Sequence, residues 1–188
     1  MSTQTRFAAV AVLTTPRLRL EPLGPAHFDG AWAALQDDEA RRLTGTHTVF
    51  TQEQIRAWLA GLAAATDRAD WAIINREDES YLGEVVLNDL DPDNASAGLR
   101  IALAGPHAYG RGYGTEAVGA VLDHAFTDVG LHRVGLEVFA FNPRAQRCYE
   151  KCGFRVEGRR REVLRWDGAW VDAIDMGILS TDPRPTAR

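Results

Sequence analysis

The sequence predicts a mixed α/β domain in which one central sheet is flanked by helices. Runs with an apolar residue at every second position, typical of strands, alternate along the chain with segments whose apolar residues recur at helical spacing. No internal repeat and no linker rich in glycine, proline or serine divides the 188 residues. With 45% hydrophobic and 25% charged residues, the chain has the composition of one globular domain with a sizeable core.

Seven stretches have the alternation or the apolar content of strands. The last two flank Asp167-Gly168, a dipeptide that favours the tight turn of a two-residue hairpin. Two others, on either side of a polar and charged turn, form a second hairpin. The predicted strands are residues 18–23, 71–74, 81–87, 99–103, 134–141, 162–166 and 170–179.

Four helices are predicted from apolar spacing and from their start signals. The first follows Pro25, and the second begins at Thr51, which forms a capping box with Gln54. The polar segment between these two helices is expected to contain a turn near Gly45. The third helix begins near Thr115, and the fourth follows an Asn-Pro pair at residues 142–143.

The chain ends and the cysteines limit the class of protein. Residues 15–180 are expected to form the domain, between a loose, flexible N-terminal tail (residues 1–14) and a C-terminal tail (residues 181–188). No stretch has the length of a membrane span, and no clear signal peptide is present. Cys148 and Cys152 have the spacing of neither a redox pair nor a zinc site. We therefore expect reduced thiols, no metal and a cytoplasmic location.

The net charge of −5 limits the partners. Proteins that bind nucleic acids or anionic membranes usually carry an excess of lysine and arginine, so neither partner is expected. An acidic protein is compatible with a cationic substrate. The composition thus favours a substrate that is a small molecule or another protein.

A glycine cluster at residues 109–117, Tyr-Gly-Arg-Gly-Tyr-Gly-Thr-Glu-Ala, joins the strand at 99–103 to a helix. Its glycines permit positive φ and let backbone N–H groups approach a ligand. The helix that begins near Thr115 directs the positive end of its dipole to the same place. The cluster therefore predicts a site for a pyrophosphate, and a plain glycine-rich loop is the alternative.

Two nucleotide-binding motifs can be compared with this cluster. The absence of a Gly-Lys-Ser/Thr ending argues against a P-loop. Gly112-x-Gly114-x-x-Ala117 satisfies the relaxed dinucleotide fingerprint, and Glu137 lies at the distance of its ribose-binding acid. However, residues 104–109 separate the strand from the turn, and apolar residues continue beyond Glu137. An NAD-dependent oxidoreductase is thus the runner-up interpretation.

Two segments further along the chain extend the pattern. Residues 142–145 read Asn-Pro-Arg-Ala and residues 149–154 read Tyr-Glu-Lys-Cys-Gly-Phe. Together with the glycine cluster, they resemble the GNAT superfamily of acetyl-CoA-dependent N-acetyltransferases, and within it the ribosomal-protein N-terminal acetyltransferases most of all. The predicted element order matches that fold over nearly the whole chain. Tyr109 departs from the glutamine or arginine that is frequent at the start of this glycine motif.

The resemblance implies a GNAT-like fold with a mostly antiparallel sheet and a set of residues that bind acetyl-CoA. In this family, the strand before the glycine turn diverges from its neighbour and its backbone binds the pantetheine arm. The backbone of the glycine turn binds the pyrophosphate, and the asparagine that caps the next helix contacts pantetheine. Carried onto this chain, the cofactor-binding residues are Ile101, Leu103, Gly110, Arg111, Gly112, Tyr113, Gly114, Thr115, Asn142 and Ala145.

Two residues are expected to take part in catalysis. The resemblance implies that Tyr149 protonates the leaving CoA thiolate, although helical spacing alone would make it a core aromatic residue. The attacking amine must lose a proton, and Glu84 is the leading candidate for the base because it lies on a central strand. Glycine at position 83 is expected to leave room there for a ligand. Glu137, Asp89 and Asp91 are the alternatives.

The predicted function is therefore transfer of an acetyl group from acetyl-CoA to a primary amine by direct attack in a ternary complex. The amine is a protein N-terminus or a small molecule, and the hairpin around Asp167-Gly168 could support a homodimer. A module that binds acyl-CoA without catalysis is a further alternative beside the oxidoreductase.

Overall fold

The computed structural model describes residues 10–184, and it confirms the mixed α/β class. Eight strands of the described chain form one sheet. The strands are Leu13–Thr14 (β1), Leu18–Pro22 (β2), Ala69–Asn75 (β3), Tyr81–Asp91 (β4), Ser96–Leu103 (β5), Arg133–Phe139 (β6), Arg155–Trp166 (β7) and Ala169–Leu179 (β8). The α-helices are Phe28–Leu35 (α1), Asp38–Thr44 (α2), Gln52–Gly61 (α3), Tyr113–Thr127 (α4) and Pro143–Lys151 (α5).

The sheet is mostly antiparallel, with the strand order β1-β2-β3-β4-β5-β6-β8-β7. The exception is the central pair β5 and β6, which run parallel. These two strands pair only between Ser96–Gly98 and Arg133–Gly135, although each continues for several residues beyond that point. The sheet therefore opens between β5 and β6, as the resemblance implied.

Helices cover both faces of the sheet and bury two apolar clusters. On one face, α4 and α5 pack against the central strands, and Val118, Val121 and Leu122 of α4 are completely buried. On the other face, α1 and α3 pack against β3 through Phe28 and Leu59. Each fully buried aliphatic side chain contributes about 1.5–3 kcal/mol to the free energy of unfolding. These two clusters hold the central strands in place while leaving them open at one end.

The start signals identified in the sequence are confirmed. Thr51 and Gln54 form the reciprocal capping box of α3. The Asn142 side chain caps α5 by accepting a hydrogen bond from the N–H of Ala145 (3.1 Å). The turn between β7 and β8 places Asp167 and Gly168 at positive φ, +48° and +81°, as a two-residue hairpin turn requires.

The structure corrects two expectations in the first third of the chain. The polar segment after α1 is a helix, α2, because the Asp37 side chain accepts a hydrogen bond from the N–H of Ala40 and Gly45 ends the helix in the left-handed conformation. The apolar-spacing signal missed it because the segment has no apolar stripe. The segment expected to be a loose N-terminal tail ends in β1, while its residues 1–9 lie outside the described part. Of the C-terminal tail, residues 185–188 lie outside it.

Candidate active site

A cavity of about 820 Å³ runs along the central strands and α5. Its lining includes Leu99 and Ile101 of β5, which belong to the apolar cluster beneath α4. It also includes Glu84 and Val86 of β4, whose side chains lie on the opposite face of the sheet. Since side chains alternate between the two faces of a strand, one cavity can reach both faces only where the sheet is open. The cavity therefore passes through the gap between β5 and β6.

Most of the predicted site residues line this one cavity. Arg111 and Tyr113 do not line it: Arg111 is exposed, and the guanidinium of Arg17 covers the ring of Tyr113 at 4.8 Å. The predicted residues that line the cavity are Glu84, Ile101, Leu103, Gly110, Gly112, Gly114, Thr115, Asn142, Ala145 and Tyr149.

The N-terminus of α4 opens into the cavity without a side-chain cap. Its N-cap is Gly112, and the first intrahelical bond of the helix runs from the N–H of Glu116 to the carbonyl of Gly112 (3.1 Å). The N–H groups of the first helical turn thus have no acceptor within the helix. Side chains cap α2, α3 and α5 but not α1 or α4, and of these two only α4 begins at the cavity, where its free N–H groups suit an anion.

The glycines of the turn have different roles. Gly110 and Gly112 adopt positive φ, +71° and +83°, which favours glycine at both positions. Gly114 is helical instead, and a Cβ added there would lie 3.4 Å from the sulfur of Cys148. That distance is an ordinary contact, and the backbone is helical, so neither packing nor a positive φ requires glycine here; this differs from the expected role in backbone freedom.

An ion pair that the sequence patterns did not reveal holds the turn in place. Arg17 donates from Nε to Glu116 (2.7 Å) and from Nη1 to the carbonyl oxygen of Arg111 (2.9 Å). Glu116 also accepts from the hydroxyl of Thr15 (2.6 Å). These contacts join the segment before β2 to the start of α4, and they lower the pKa of the Glu116 carboxyl. No sequence pattern links residues 99 positions apart, so this ion pair could not be predicted from the sequence.

The open edge of β5 presents backbone groups toward β6. The N–H of Ala104 donates to the carbonyl of Leu82 on β4 (2.8 Å). Because the backbone groups of successive residues in an antiparallel strand point to alternate sides, those of Ala102 and Ala104 face β4. The groups of Ile101 and Leu103 then face the gap, where β6 does not pair with them.

Tyr109 is a second residue whose role was not predicted. It lines the cavity, and its hydroxyl donates to the carbonyl oxygen of Leu103 (3.4 Å). The guanidinium of Arg144 on α5 lies 4.1 Å from the centre of its ring. Tyr109 thus connects the end of β5, the long loop and α5, so the departure from the family motif has a structural consequence.

Tyr149 lies two turns into α5 and is 6% exposed. Its ring packs edge-on against Phe154, with 5.9 Å between the ring centres. Burial raises the pKa of the phenol well above its usual range, with a smaller contribution from the neighbouring thiols, Cys148 and Cys152. Tyr149 is therefore both a core aromatic residue and a protonated donor at the wall of the cavity, so the two interpretations of this position are compatible.

Glu84 lies on β4, where it is paired in register with Ala102 across the two strands. It lines the cavity on the face covered by α1–α3. Burial raises the pKa of its carboxyl to about 7, and the negative charge of Asp70 adds to the effect. A carboxyl group with such a pKa can accept a proton near neutral pH.

The glycine next to Glu84 has a different role from the expected one. Gly83 has a φ of +140°, and a Cβ added there would lie 2.2 Å from the carbonyl oxygen of Ala102. The space that its missing side chain leaves is filled by the backbone of β5 rather than by a ligand. The close approach of the two strands explains why glycine is needed at this position.

The other carboxylates considered as bases are less well placed. Asp89 and Asp91 do not line the cavity. Glu137 does, but it forms an ion pair with Arg160 from β7. Glu84 is thus the cavity carboxylate without an ion-pair partner within residues 10–184.

Cys148 and Cys152 are free thiols on one face of α5, as expected. The sulfur of Cys148 lies 3.3 Å from the hydroxyl oxygen of Thr115, and the Cys152 thiol donates to the carbonyl oxygen of the same threonine at 3.5 Å. Both thiols therefore pack α5 against the start of α4. Within residues 10–184, no group of three or more histidine, cysteine or acidic side chains is arranged to hold a metal ion.

Comparison with known proteins identifies the family. Residues 17–155 match the acetyltransferase (GNAT) domain family. The chain belongs to the GNAT acetyltransferase family. It is 27% identical over 174 residues to the SPbeta prophage-derived uncharacterized N-acetyltransferase YokL of Bacillus subtilis, which covers 90% of this chain and 94% of the relative.

Two further comparisons agree with this GNAT assignment. The spermidine N(1)-acetyltransferase of Vibrio cholerae is 31% identical over 109 residues, 58% of this chain and 62% of that protein. A crystal structure of spermidine N-acetyltransferase from the same organism, in complex with CoA and spermine, has the same fold. Its TM-score is 0.81 at 21% identity, over 89% of this chain and 98% of that one. The GNAT chain is thus an N-acetyltransferase that uses acetyl-CoA.

The runner-up interpretations lose their support. The dinucleotide fingerprint belongs to a doubly wound parallel sheet, whereas this sheet is antiparallel except at β5 and β6. The relatives are N-acetyltransferases rather than oxidoreductases or binding modules. They do not single out the ribosomal-protein acetyltransferases, so that narrower resemblance is not part of the assignment. Among the described helices, none is long and apolar enough to cross a bilayer.

Proposed function

We propose that this GNAT enzyme transfers the acetyl group of acetyl-CoA directly to a primary amine, with the two substrates entering the cavity from opposite faces of the sheet. The observation that carries the proposal is the cavity itself. It joins the uncapped N-terminus of α4 on one face to the carboxyl group of Glu84 on the other. A thioester that reaches through the gap would meet an amine held near that carboxyl group.

Acetyl-CoA is expected to bind along β5 and α4. Its pyrophosphate accepts hydrogen bonds from the first-turn N–H groups of α4, where Gly112 and Thr115 line the cavity. The pantetheine arm pairs with the free backbone groups of Ile101 and with the N–H of Leu103, whose carbonyl oxygen already accepts from the Tyr109 hydroxyl. Asn142 uses its side-chain oxygen to cap α5, which leaves its amide N–H groups available for the pantetheine arm.

The reaction requires two proton transfers. The neutral form of the amine attacks the carbonyl carbon of the thioester, and its nitrogen passes one proton to the carboxylate of Glu84. A backbone N–H in the β5 gap donates to the oxyanion of the tetrahedral intermediate. As that intermediate collapses, the carbon–sulfur bond breaks and the sulfur takes the proton of the Tyr149 hydroxyl. The products are an N-acetyl amine and CoA.

Direct attack needs no acetylated enzyme. Cys148 lines the cavity, but its sulfur contacts Thr115 at the glycine turn, where the pyrophosphate is expected. We therefore expect initial-rate plots that intersect when the two substrates are varied. Parallel lines, together with a mass increase of one acetyl group on Cys148, would instead support a covalent intermediate.

The acceptor and the oligomeric state are the least constrained parts of the proposal. A small amine is supported by the spermidine acetyltransferases among the relatives, and a protein N-terminus by the motif resemblance. A homodimer is supported by the β7–β8 hairpin, which exposes Val156, Val163 and Trp170 to solvent. Light scattering of the purified protein would measure its mass, and a mass of one chain at micromolar concentration would contradict the dimer.

Two assays test the proposed function. Acetyl-CoA at one hundred times its Kd should stabilise the protein by about 2.7 kcal/mol, and NADH should not. For a chain of this size, the melting temperature should rise by about 5–10 °C. A panel of primary amines should then release CoA thiol. Stabilisation by NADH alone, or binding of acetyl-CoA without thiol release for every amine, would contradict the proposal.

A further inference from the structure

Arg100 faces the acceptor side of the cavity. It lies on β5 opposite Val86, two residues along the strand from Ala102, the register partner of Glu84. Side chains two residues apart on a strand share a face, so Arg100 and Glu84 lie on the same side of the sheet. Both line the cavity.

Arg100 has no ion-pair partner among the described residues, although its positive charge acts on the carboxyl group of Glu84 and opposes the rise of its pKa. Within residues 10–184, its guanidinium forms neither an ion pair nor a hydrogen bond with another side chain. Two other charged side chains of the cavity wall are paired: Arg68 donates to Asp70 (2.6 Å), and Glu137 pairs with Arg160. The side chain of Arg100 is exposed, so water solvates its charge and its guanidinium is accessible to an anion that a ligand brings.

A second guanidinium lines the same cavity. Arg41 of α2, the helix that packs near β5, is half-buried and donates to the carbonyl oxygen of His47 (3.1 Å). It has no carboxylate partner in the described part of the chain. Within residues 10–184, the acceptor side therefore carries two guanidinium groups without an ion-pair partner, those of Arg41 and Arg100, and a single carboxyl group without one, that of Glu84. A polyamine would meet repulsion here, because it has several positive charges and no anion.

We propose that the acceptor is a primary amine that also carries a carboxylate, which Arg100 binds while the amine faces Glu84. This inference rests on the proposed acetyl transfer. A planar guanidinium can bind a carboxylate through two parallel hydrogen bonds, which fixes the amine relative to the base. Phe50 and Trp58 add apolar lining on the same side, so the body of the acceptor is apolar.

The experiment compares matched amines in a CoA-thiol release assay. Apolar and aromatic L-amino acids, beginning with phenylalanine, are each paired with the corresponding amino-acid amide, which lacks the carboxylate. Spermidine provides the polyamine. A tripeptide that begins with glutamate, against one that begins with glutamine, tests whether the carboxylate comes instead from the side chain of a peptide. The wild-type protein should prefer carboxylate-bearing amines to spermidine.

Arg100→Gln identifies the residue responsible. It should lower kcat/KM for the carboxylate-bearing amines by about ten- to a hundredfold, mainly through KM, as expected for the loss of a charge-assisted hydrogen bond. The amides should change by less than about threefold. The rate with each amine is compared between the wild-type protein and the variant, so the difference in basicity between amino acids and their amides does not affect the result. Arg161→Gln, on the exposed strand β7, is the matched control.

The outcomes separate the two proposals. A higher kcat/KM for spermidine than for every carboxylate-bearing amine, or an equal loss on acids and amides in Arg100→Gln, would overturn the inference and keep acetyl transfer. Binding of acetyl-CoA without thiol release for any amine would remove the proposed function and this inference together. A preference for the tripeptide that begins with glutamate would support recognition of a carboxylate and would identify the acceptor as a peptide.

Discussion

Tyr149 and Glu84 show how the surroundings of a side chain change its acidity. A tyrosine at helical spacing in α5 would be an ordinary core residue, and its burial confirms that it is one. The same burial keeps the phenol protonated beside the cavity. Glu84 was predicted to be the base because it lies on a central strand. Its pKa is raised to about 7 by burial and by the nearby Asp70, which the sequence did not reveal.

Tyr149→Phe removes the proposed acid and keeps the ring. We expect kcat to fall by about 10²–10⁴-fold, because the CoA thiolate then leaves without a positioned proton donor. The affinity for acetyl-CoA, measured by calorimetry, should be nearly unchanged. Since the ring still packs against Phe154, the melting temperature should change little. An unaltered rate at every pH would show that the hydroxyl has no role as an acid.

Glu84→Gln tests the base through the pH dependence of the rate. In the wild-type protein, kcat/KM should rise as pH increases toward about 7, because only the ionised carboxylate accepts a proton. The glutamine variant should be slower and should lose this rise. The same profile in both proteins would assign the base to another group or to a water molecule.

The raised pKa of Glu84 also has a consequence for stability. The folded state holds its proton at pH values where the unfolded carboxyl is already ionised, so stability decreases as pH rises from about 4.5 to about 7. Glutamine resembles the protonated form. Thermal unfolding should therefore show a larger advantage of Glu84→Gln over the wild type at pH 8 than at pH 5. An equal difference at both pH values would contradict the raised pKa.

The elements could be predicted from the sequence wherever their signals are local. The capping residues, the hairpin turn and the glycine turn are local patterns, and the structure confirms them. Helix α2 has no apolar stripe and was missed, and the role of Gly83 was misjudged because it depends on a neighbouring strand. The contacts of Arg17 and Tyr109 arise only when the chain folds, so no local pattern could identify them.

Gly83→Ala tests the close approach of β4 and β5. An added methyl group would meet the backbone of Ala102, and the positive φ is unfavourable for alanine, so we expect a loss of more than about 2 kcal/mol in the free energy of unfolding. Gly61→Ala, at the end of α3 with no atom within 4 Å of the added Cβ, is the control. Chemical denaturation should show it as neutral or slightly stabilising. Equal effects of the two substitutions would contradict the account.

Arg17→Gln tests whether the ion pair with Glu116 holds the glycine turn in place. It frees the carbonyl of Arg111 and leaves the charge of Glu116 uncompensated at the expected pyrophosphate site. We expect the Kd for acetyl-CoA to rise about tenfold, measured by calorimetry. Arg19→Gln, two residues further along in β2 and paired with Glu79 away from the cavity, should leave Kd unchanged. The same Kd in both variants would show that the ion pair of Arg17 does not affect cofactor binding.

At the scale of the molecule, the order of strands and helices in the sequence was enough to predict the class of fold. The proposed function depends on the opening between β5 and β6, because it joins two faces that an intact sheet would separate. The net charge of the whole chain does not describe the local surroundings of the site. The chain as a whole is acidic and suggested a cationic substrate, whereas the wall around Glu84 carries the unpaired guanidinium of Arg100.

A crystal structure of the protein with CoA tests the central claim most directly. It should place the pyrophosphate at the N–H groups that begin α4 and the pantetheine arm in the gap, hydrogen-bonded to the backbone of Ile101. The CoA sulfur should lie within hydrogen-bonding distance of the Tyr149 hydroxyl. A pantetheine arm outside the gap between β5 and β6, or a sulfur remote from Tyr149, would contradict the account.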